Sequence, residues 1–286
     1  MVKKYLIIYS INPFIFKLGK LYFRWYGFMY IIGFICASIL SKKKKYNIKI
    51  MFIYKKKIEN LIYYIFLGIF IGGRIGYVLL YKTINFLNNP SYIFKIWYGG
   101  MSFHGGLIGV LFTIKLFLIK NRNINFYKIT DFISTIIPLC IGIGRLGNFI
   151  NGELYGIVSI NLPIIVLFQN SLKDDFKFIS KYPKFKLIFN KYGRLPRHPS
   201  QIYESLLEGL MLFIIMNFFI KKKRPVGSIS GLFLILYGSF RFLLEYLRQY
   251  DDTLILLNYF TIGQILSIPM ILLGFYLINN SYKKNI

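Results

Sequence analysis

The chain has 286 residues, 56% of them hydrophobic, and carries 37 Lys and Arg against 10 Asp and Glu, a formal charge of +27. That apolar content excludes a disordered chain, which lacks the apolar surface to fold, and argues against an ordinary soluble domain. The charge excludes less: Lys outnumbers Arg 28 to 9 and Ala37 is the lone alanine, a skew toward Ile, Phe, Tyr, Asn and Lys such as an AT-rich genome produces.

The first residues do not form a cleavable signal peptide, because the apolar stretch breaks at Asn12-Pro13 and no small-residue cleavage site follows. A helix that crosses a bilayer needs about 20 apolar residues. Seven stretches meet that length, at about 21–40, 60–81, 101–120, 129–150, 201–220, 228–247 and 259–279. The alternating pattern of a spanning β-barrel is absent. The expected fold is therefore all-α, a polytopic membrane protein with seven transmembrane helices in one membrane domain over 1–286.

The loops between these stretches set the expected orientation. Eight Lys fall in 41–58, then Lys120, Arg122 and Lys128, then Lys221, Lys222, Lys223 and Arg224, and finally Lys283 and Lys284, whereas the loop 82–98 has only Lys82 and Lys95. Short loops rich in Lys and Arg stay in the cytoplasm. The N-terminus is then outside and the C-terminus cytoplasmic. Segment 151–200 is polar and Lys-rich, with turn signals at Leu162-Pro163, Tyr182-Pro183 and Leu195-Pro196. It is expected to form a small head on the outer side, its lysines either a solvated surface or attracted to anionic headgroups. Because the Lys residues line loops between apolar stretches rather than one soluble face, a nucleic-acid partner is not expected. Cys36 and Cys140 lie inside apolar stretches and read as free thiols.

Ionisable side chains inside spans are expensive and are functional candidates by default. Arg74, Lys115, Arg145 and Arg241 fall within or at the edges of the stretches, with Glu153, Glu204, Glu208 and Glu245 beside them; Lys115 can snorkel to the surface. The richest run is Gly142 to Gly156, which sets Arg145, Asn148, Asn151, Gly152 and Glu153 among glycines at the end of a span. Glycine permits close backbone approach, and arginine offers a planar fork of donors suited to a phosphate. His104, in the run Gly99 to Gly106, is one of two histidines and could accept a proton near neutral pH. In Arg197 to Glu204, Ser200 can cap a helix on which Gln201, Glu204 and Glu208 share a face. Tyr237, Arg241, Glu245 and Arg248 form one stripe, with Arg241 and Glu245 paired at i, i+4. Zinc-type ligand spacings, Asp-rich phosphoryl-transfer motifs and a Gly-x-Ser-x-Gly elbow are lacking. Such a site suits an anionic phospholipid headgroup. A non-enzymatic lipid carrier or flippase would need the arginines and glycines but no base.

With Arg24-Trp25-Tyr26-Gly27, Gly72-Gly73-Arg74-Ile75-Gly76-Tyr77, His104-Gly105-Gly106, Gly144 to Gly156, Arg197 to Glu204, Tyr237 to Arg248 and Gly263 to Ser267 in this order, the chain resembles the prolipoprotein diacylglyceryl transferase family over nearly its whole length. The resemblance implies seven spans, an outward N-terminus, a periplasmic head and a place in the bacterial inner membrane. It also implies transfer of a diacylglyceryl group from phosphatidylglycerol to the lipobox Cys thiol of a preprolipoprotein, with no cofactor or metal. It implies Arg145 and Arg241 on the phosphate and His104 as base, although a carboxylate such as Glu153 could serve. Tyr26, Asn148, Asn151, Gly152, Glu153, Gly156, Tyr237 and Glu245 would bind or shape the substrate site, and Glu204 would support it. Tyr98, Ile157 and the ending Arg248-Gln249-Tyr250-Asp251 depart from the family pattern.

Overall fold

The computed structural model of the chain describes residues 6–9, 14–18, 21–43, 55–95, 100–159, 164–249, 255–256 and 260–283. In chain order the elements are β1 (Leu6–Tyr9), β2 (Phe14–Leu18), β3 (Leu21–Arg24), α1 (Trp25–Lys43), α2 (Lys55–Tyr81), α3 (Thr83–Asn88), a 3₁₀ turn at Pro90–Phe94, α4 (Phe103–Lys120), α5 (Phe126–Ser134) and α6 (Ile137–Ile150). They continue with β4 (Ile164–Leu167), α7 (Leu172–Lys181), α8 (Lys186–Tyr192), α9 over Ser200–Phe219, α10 (Ser228–Leu244), β5 (Ile255–Leu256), β6 (Phe260–Thr261) and α11 (Ile262–Lys283). The described chain is thus mostly helical. Among the described residues, four helices are long and apolar enough to cross a membrane, Asn60–Leu79, Ser200–Phe219, Ser228–Leu247 and Gly263–Lys283, and a fifth results if α5 and α6 are one broken span.

Local chemistry explains where helices start and stop against the expected stretches. The stretch 21–40 becomes helical only at Trp25, because 21–24 pairs as β3 with β2 in an antiparallel ladder. The stretch 101–120 starts its helix at Phe103, where the Ser102 hydroxyl accepts the Gly105 amide at 3.3 Å as an N-cap. The stretch 129–150 is two helices instead of one. Pro138 has no N–H to donate to the carbonyl four residues earlier, and Thr135 turns its hydroxyl back to the Phe132 carbonyl at 2.7 Å. Much of the Lys-rich loop, 44–54, lies outside the described residues.

The chain divides into two compact units, residues 34–136 and residues 1–33 with 137–286. In the first, α2 packs on α4 around Leu61, Ile65, Ile114 and Phe117, joined by Ile124 and Ile129. Their backbones meet at Gly72 and Gly105: a Cβ on Gly105 would fall against the Gly72 carbonyl oxygen and 2.8 Å from the Gly76 Cα. Gly105→Ala is therefore expected to overpack this crossing by about 1–3 kcal/mol, seen as a lower thermal unfolding midpoint in detergent, whereas Gly27→Ala, with open space around it, should not shift it. Arg74 is buried here and donates to the carbonyls of Tyr92, Ile93 and Lys95 at 2.8–3.0 Å. Its charge tethers the 3₁₀ turn, so this arginine has a structural role.

In the second unit, β1 pairs in parallel with β4, Leu6 opposite Ile164 through Tyr9 opposite Leu167. Helices α9, α10 and α11 and helix α6 carry the site. Between Ser205 and Met211, α9 widens into a π-helix. There Gly209 meets Gly142 of α6 backbone to backbone, a Cβ on Gly142 lying 2.9 Å from the Gly209 Cα, and the Ser205 hydroxyl donates to the Gly142 carbonyl at 3.0 Å. Cys36 and Cys140 form no disulfide, and the Cys140 thiol donates to the Gly33 carbonyl at 3.3 Å.

Candidate functional site

The contact of Gly142 with Gly209 sets Arg145, one helical turn further along α6, beside two carboxylates on α9. Arg145 donates through Nε and Nη2 to Glu208 Oε2, at 3.2 and 3.0 Å. Its Nη1 lies 3.2 Å from Glu204 Oε2. From α10, Arg241 donates to the other oxygen, Glu204 Oε1, at 2.9 Å, stands 3.7 Å from Glu208 Oε1, and pairs with Glu245 one turn on. Arg248 reaches Glu204 Oε1 at 3.9 Å. Three guanidiniums and three carboxylates thus form one neutral network, with Glu204 at its centre. Glu204 and Glu208 are wholly buried, while Arg145, Arg241 and Arg248 keep 16%, 13% and 19% of their side chains exposed. The carboxylates therefore hold the arginines from beneath, and the arginines alone present an open edge.

This burial is sustainable because the charges are mutually paired; an isolated ion at such depth costs several kcal/mol. Glycine again makes the room. A Cβ on Gly263, in the first turn of α11, would lie 2.7 Å from the Glu245 carboxylate, so Glu245 packs directly on that helix start. An anionic side chain there also meets the positive end of the helix dipole. Tyr237, one turn before Arg241, is buried among Leu212, Met216 and Ile229 and stacks on Phe233.

The Gly142–Gly156 run ends α6 in a tight turn. Gly152 has φ 63 and Leu154 φ 58, both left-handed, which is strained for leucine. The strain is held by hydrogen bonds from α9: Gln201 Nε2 donates to the Glu153 carbonyl at 2.6 Å, and the Ser200 hydroxyl to the Leu154 carbonyl at 3.0 Å. The expected N-cap at Ser200 is not formed, because the helix already begins at Ser200 and Pro199 occupies the cap position, while the Ser200 hydroxyl donates to this turn. Asn148 and Asn151 are buried, Glu153 is exposed, and Asn151 Oδ1 is buried with no hydrogen bond among the described residues. Gly156 is wedged between two neighbouring segments: a Cβ there would lie 2.6 Å from both the His198 Cβ and the Leu247 carbonyl oxygen.

Behind the turn lies a second ion pair. Arg197, fully buried, donates to Asp175 Oδ1 at 3.0 and 2.7 Å, to the Gly156 carbonyl at 3.2 Å and to Gln249 Oε1 at 3.2 Å. Its guanidinium lies 4.8 Å from the Tyr155 ring centroid. Burial, and then the hydrogen bond to Asp174, raise the Tyr155 phenol above its ordinary value. Burial lowers the His198 imidazole, whose Nδ1 has no hydrogen bond among the described residues. Protons then bind the unfolded chain before the folded one, and stability falls as pH drops below about 6.5. His198→Asn is expected to flatten that dependence, read as faster amide exchange of residues 164–199 at pH 5.5 than at pH 7.5 in the parent only, once intrinsic rates are divided out.

A family model described as prolipoprotein diacylglyceryl transferase matches residues 13–279. The chain belongs to this family. Similar relatives named phosphatidylglycerol–prolipoprotein diacylglyceryl transferase include one from Wigglesworthia glossinidia brevipalpis, 51% identical over 282 residues, 98% of this chain and 100% of the relative. Another from Sodalis glossinidius is 48% identical and covers 100% of this chain and 98% of its own. A third from Blochmanniella floridana is 49% identical over 96% of this chain and 97% of its own.

Among the residues that the family resemblance singles out, the structure brings Arg145, Glu204, Arg241 and Glu245 into one network, with Asn148, Asn151, Gly152, Glu153 and Gly156 on the run that carries Arg145 and Tyr237 on the helix that carries Arg241. His104 stands in the first turn of α4, in the other unit, and Tyr26 in the first turn of α1; their side chains lie outside the described residues. Two members of this transferase's network, Glu208 and Arg248, stand out in the sequence only by helical spacing and receive no site role from it. Glu208 takes two of the hydrogen bonds of Arg145, and Arg248 brings a third guanidinium to 3.9 Å from Glu204 Oε1. The signal for Glu208 was its offset of seven from Gln201 on a buried helix face.

Proposed function

We propose that this chain transfers the diacylglyceryl group of phosphatidylglycerol to the thiol of the lipobox cysteine of a preprolipoprotein, the lipidation step of bacterial lipoprotein biosynthesis. It is a membrane-embedded transferase. In this reading seven helices span the inner membrane, with the N-terminus outside, the C-terminus in the cytoplasm, 151–200 as a periplasmic head and the site open toward the outer leaflet. The count of seven draws on the apolar stretches, and the orientation on the Lys-rich short loops.

The observation that carries the proposal is the pair Arg145 and Arg241 held side by side on the buried Glu204, each with an open edge. A phosphodiester monoanion fits that edge. The substrate thiol, with an ordinary pKa of about 8.5, must ionise before it attacks. His104 is the proposed acceptor of its proton. The thiolate then attacks the glyceryl carbon that bears the phosphate; the S–C bond forms, the C–O bond breaks, and its electron pair stays on the phosphate oxygen of departing glycerol phosphate. Negative charge on that phosphate grows from diester to monoester. Arg145 and Arg241 stabilise this growth, which is where preorganised charge accelerates a reaction. The arginines need no reorganisation because Glu204, Glu208 and Glu245 already fix them. Exposed Glu153 suits the glycerol hydroxyls of the headgroup, and Asn151 stands two residues before it in the same turn. Tyr26, Asn148, Gly152, Gly156 and Tyr237 complete the proposed substrate site.

The test is reconstitution. The purified protein is incubated with phosphatidylglycerol and a lipobox peptide, and the peptide is weighed by mass spectrometry. A diacylglyceryl adduct on cysteine with release of glycerol phosphate is expected; a peptide of unchanged mass, under conditions where a known transferase works, would overturn the reading.

A further inference from the structure

The outer surface of the head has a charge pattern that the transfer reaction does not use. Helices α7 and α8 and the turn between them carry Lys173, Lys177, Lys181, Lys184, Lys186 and Lys191, all exposed. The only acids between Leu154 and Tyr203 are Asp174 and Asp175, and both are turned inward. Asp174 accepts the Tyr155 hydroxyl at 2.6 Å, and Asp175, fully buried, takes Arg197, the Ser171 hydroxyl and the Leu195 amide. The lysines therefore have no carboxylate of their own segment on the surface. Among them stand apolar side chains facing outward: Phe176 is 54% exposed, Tyr182 40% and Leu187 80%. Lys181, Lys184 and Lys191 lie over the rings of Tyr182, Phe185 and Tyr192, at 5.7, 5.5 and 5.2 Å from the centroids. Lysines interleaved with exposed aromatic and aliphatic groups on short helices are the composition of an element that rests in a lipid headgroup layer.

The tethers of the head keep it near that layer. The chain leaves α6 at Ile150, enters α9 at Ser200, and is pinned through Arg197 to Gln249, just past the end of the Ser228–Leu247 span. A charge held within a Debye length of about 8 Å of an anionic surface is weakly screened from it.

We propose that α7 and α8 dock the head on the anionic phospholipid surface of the membrane. The lysines pair with lipid phosphates, while Phe176, Tyr182 and Leu187 enter the headgroup region. The inference rests on the proposed function only in taking the facing leaflet to hold phosphatidylglycerol; the docking itself needs an anionic lipid of any kind. Its consequence for the transferase is a local excess of anionic donor beside the arginine network, which lowers KM for the donor without touching kcat.

The experiment uses the full chain in nanodiscs of phosphatidylcholine alone or of phosphatidylcholine with phosphatidylserine, an anionic lipid distinct from the donor. Amide hydrogen exchange is followed over residues 172–192. Docking predicts exchange several-fold slower in the anionic discs, restored to the neutral rate by high salt and by the triple variant Lys177→Gln/Lys184→Gln/Lys191→Gln. Equal exchange in both discs overturns the proposal, and so does protection that survives the triple variant. With donor added, the same variant should raise KM for phosphatidylglycerol several-fold at unchanged kcat. A protein without transferase activity would sink the proposed function and leave the exchange result to decide docking by itself.

Discussion

Arg241→Ala is expected to lower kcat/KM for diacylglyceryl transfer by at least about 10²–10³-fold, the loss that follows removal of one preorganised donor to a developing anion. Arg241 binds Glu204 at 2.9 Å and pairs with Glu245, so its removal also leaves carboxylates without a cation. Breaking a buried ion pair from one side costs about 3–5 kcal/mol, and a loss of activity could then be a loss of fold. Two further variants separate the effects. Arg241→Ala/Glu245→Gln removes one orphaned charge and should regain much of the thermal stability with no regain of activity. Arg241→Lys keeps the charge but not the planar fork that reaches Glu204 and Glu245 together; it should fold, and transfer at an intermediate rate. Arg145→Ala should be as inactive and less stable, since Glu208 loses both of its hydrogen bonds and is wholly buried. Full activity in Arg241→Ala would remove the arginine pair from the chemistry.

The sequence shows these arginines by type, since arginine is scarce in a lysine-rich chain, and shows the carboxylates by helical offset. The pair Arg241 and Glu245 is local, four residues apart on one helix, and is legible for that reason. The bridging position of Glu204 is not, because it depends on three helices meeting, and on two glycines, Gly142 and Gly209, that let α6 and the π-helical turn touch. Apolar length alone marks 60–81, 201–220, 228–247 and 259–279 as helices, since a run of that length has few other ways to satisfy its backbone in lipid. It does not show the break before Pro138, because the apolar pattern runs on through it while the hydrogen-bond ladder cannot. Ser200 shows the same limit at the scale of one side chain. Its type and place suit a cap, but the helix begins at Ser200 itself, and its hydroxyl donates to a partner 46 residues away in the chain, the Leu154 carbonyl.

Asp175→Asn is expected to destabilise the protein by about 3–5 kcal/mol, because it leaves the buried Arg197 guanidinium without its counter-charge. Arg197 also joins three segments: α7 through Asp175, the end of the Gly142–Gly156 run through the Gly156 carbonyl, and the end of the Arg241 helix through Gln249. The backbone repeats the link, with Gly156 paired to Arg248, the Ile157 amide on the Leu247 carbonyl and the Gln249 amide on the Tyr155 carbonyl. Arg145 and Arg241 lie on the segments so joined. Arg197 is therefore expected to act as a positioning residue, fixing the segments that carry two arginines it does not touch. The apolar double variant Asp175→Leu/Arg197→Met tests this against a purely structural role. An apolar pair of similar volume can restore the stability of a buried ion pair, but it cannot donate to Gly156 or Gln249. Thermal unfolding should return toward the parent value while kcat stays depressed, with KM for the lipobox peptide little changed. If kcat returned together with stability, the ion pair would be a fold element only, and the spacing of Arg145 and Arg241 would have to be set by the Glu204 bridge alone.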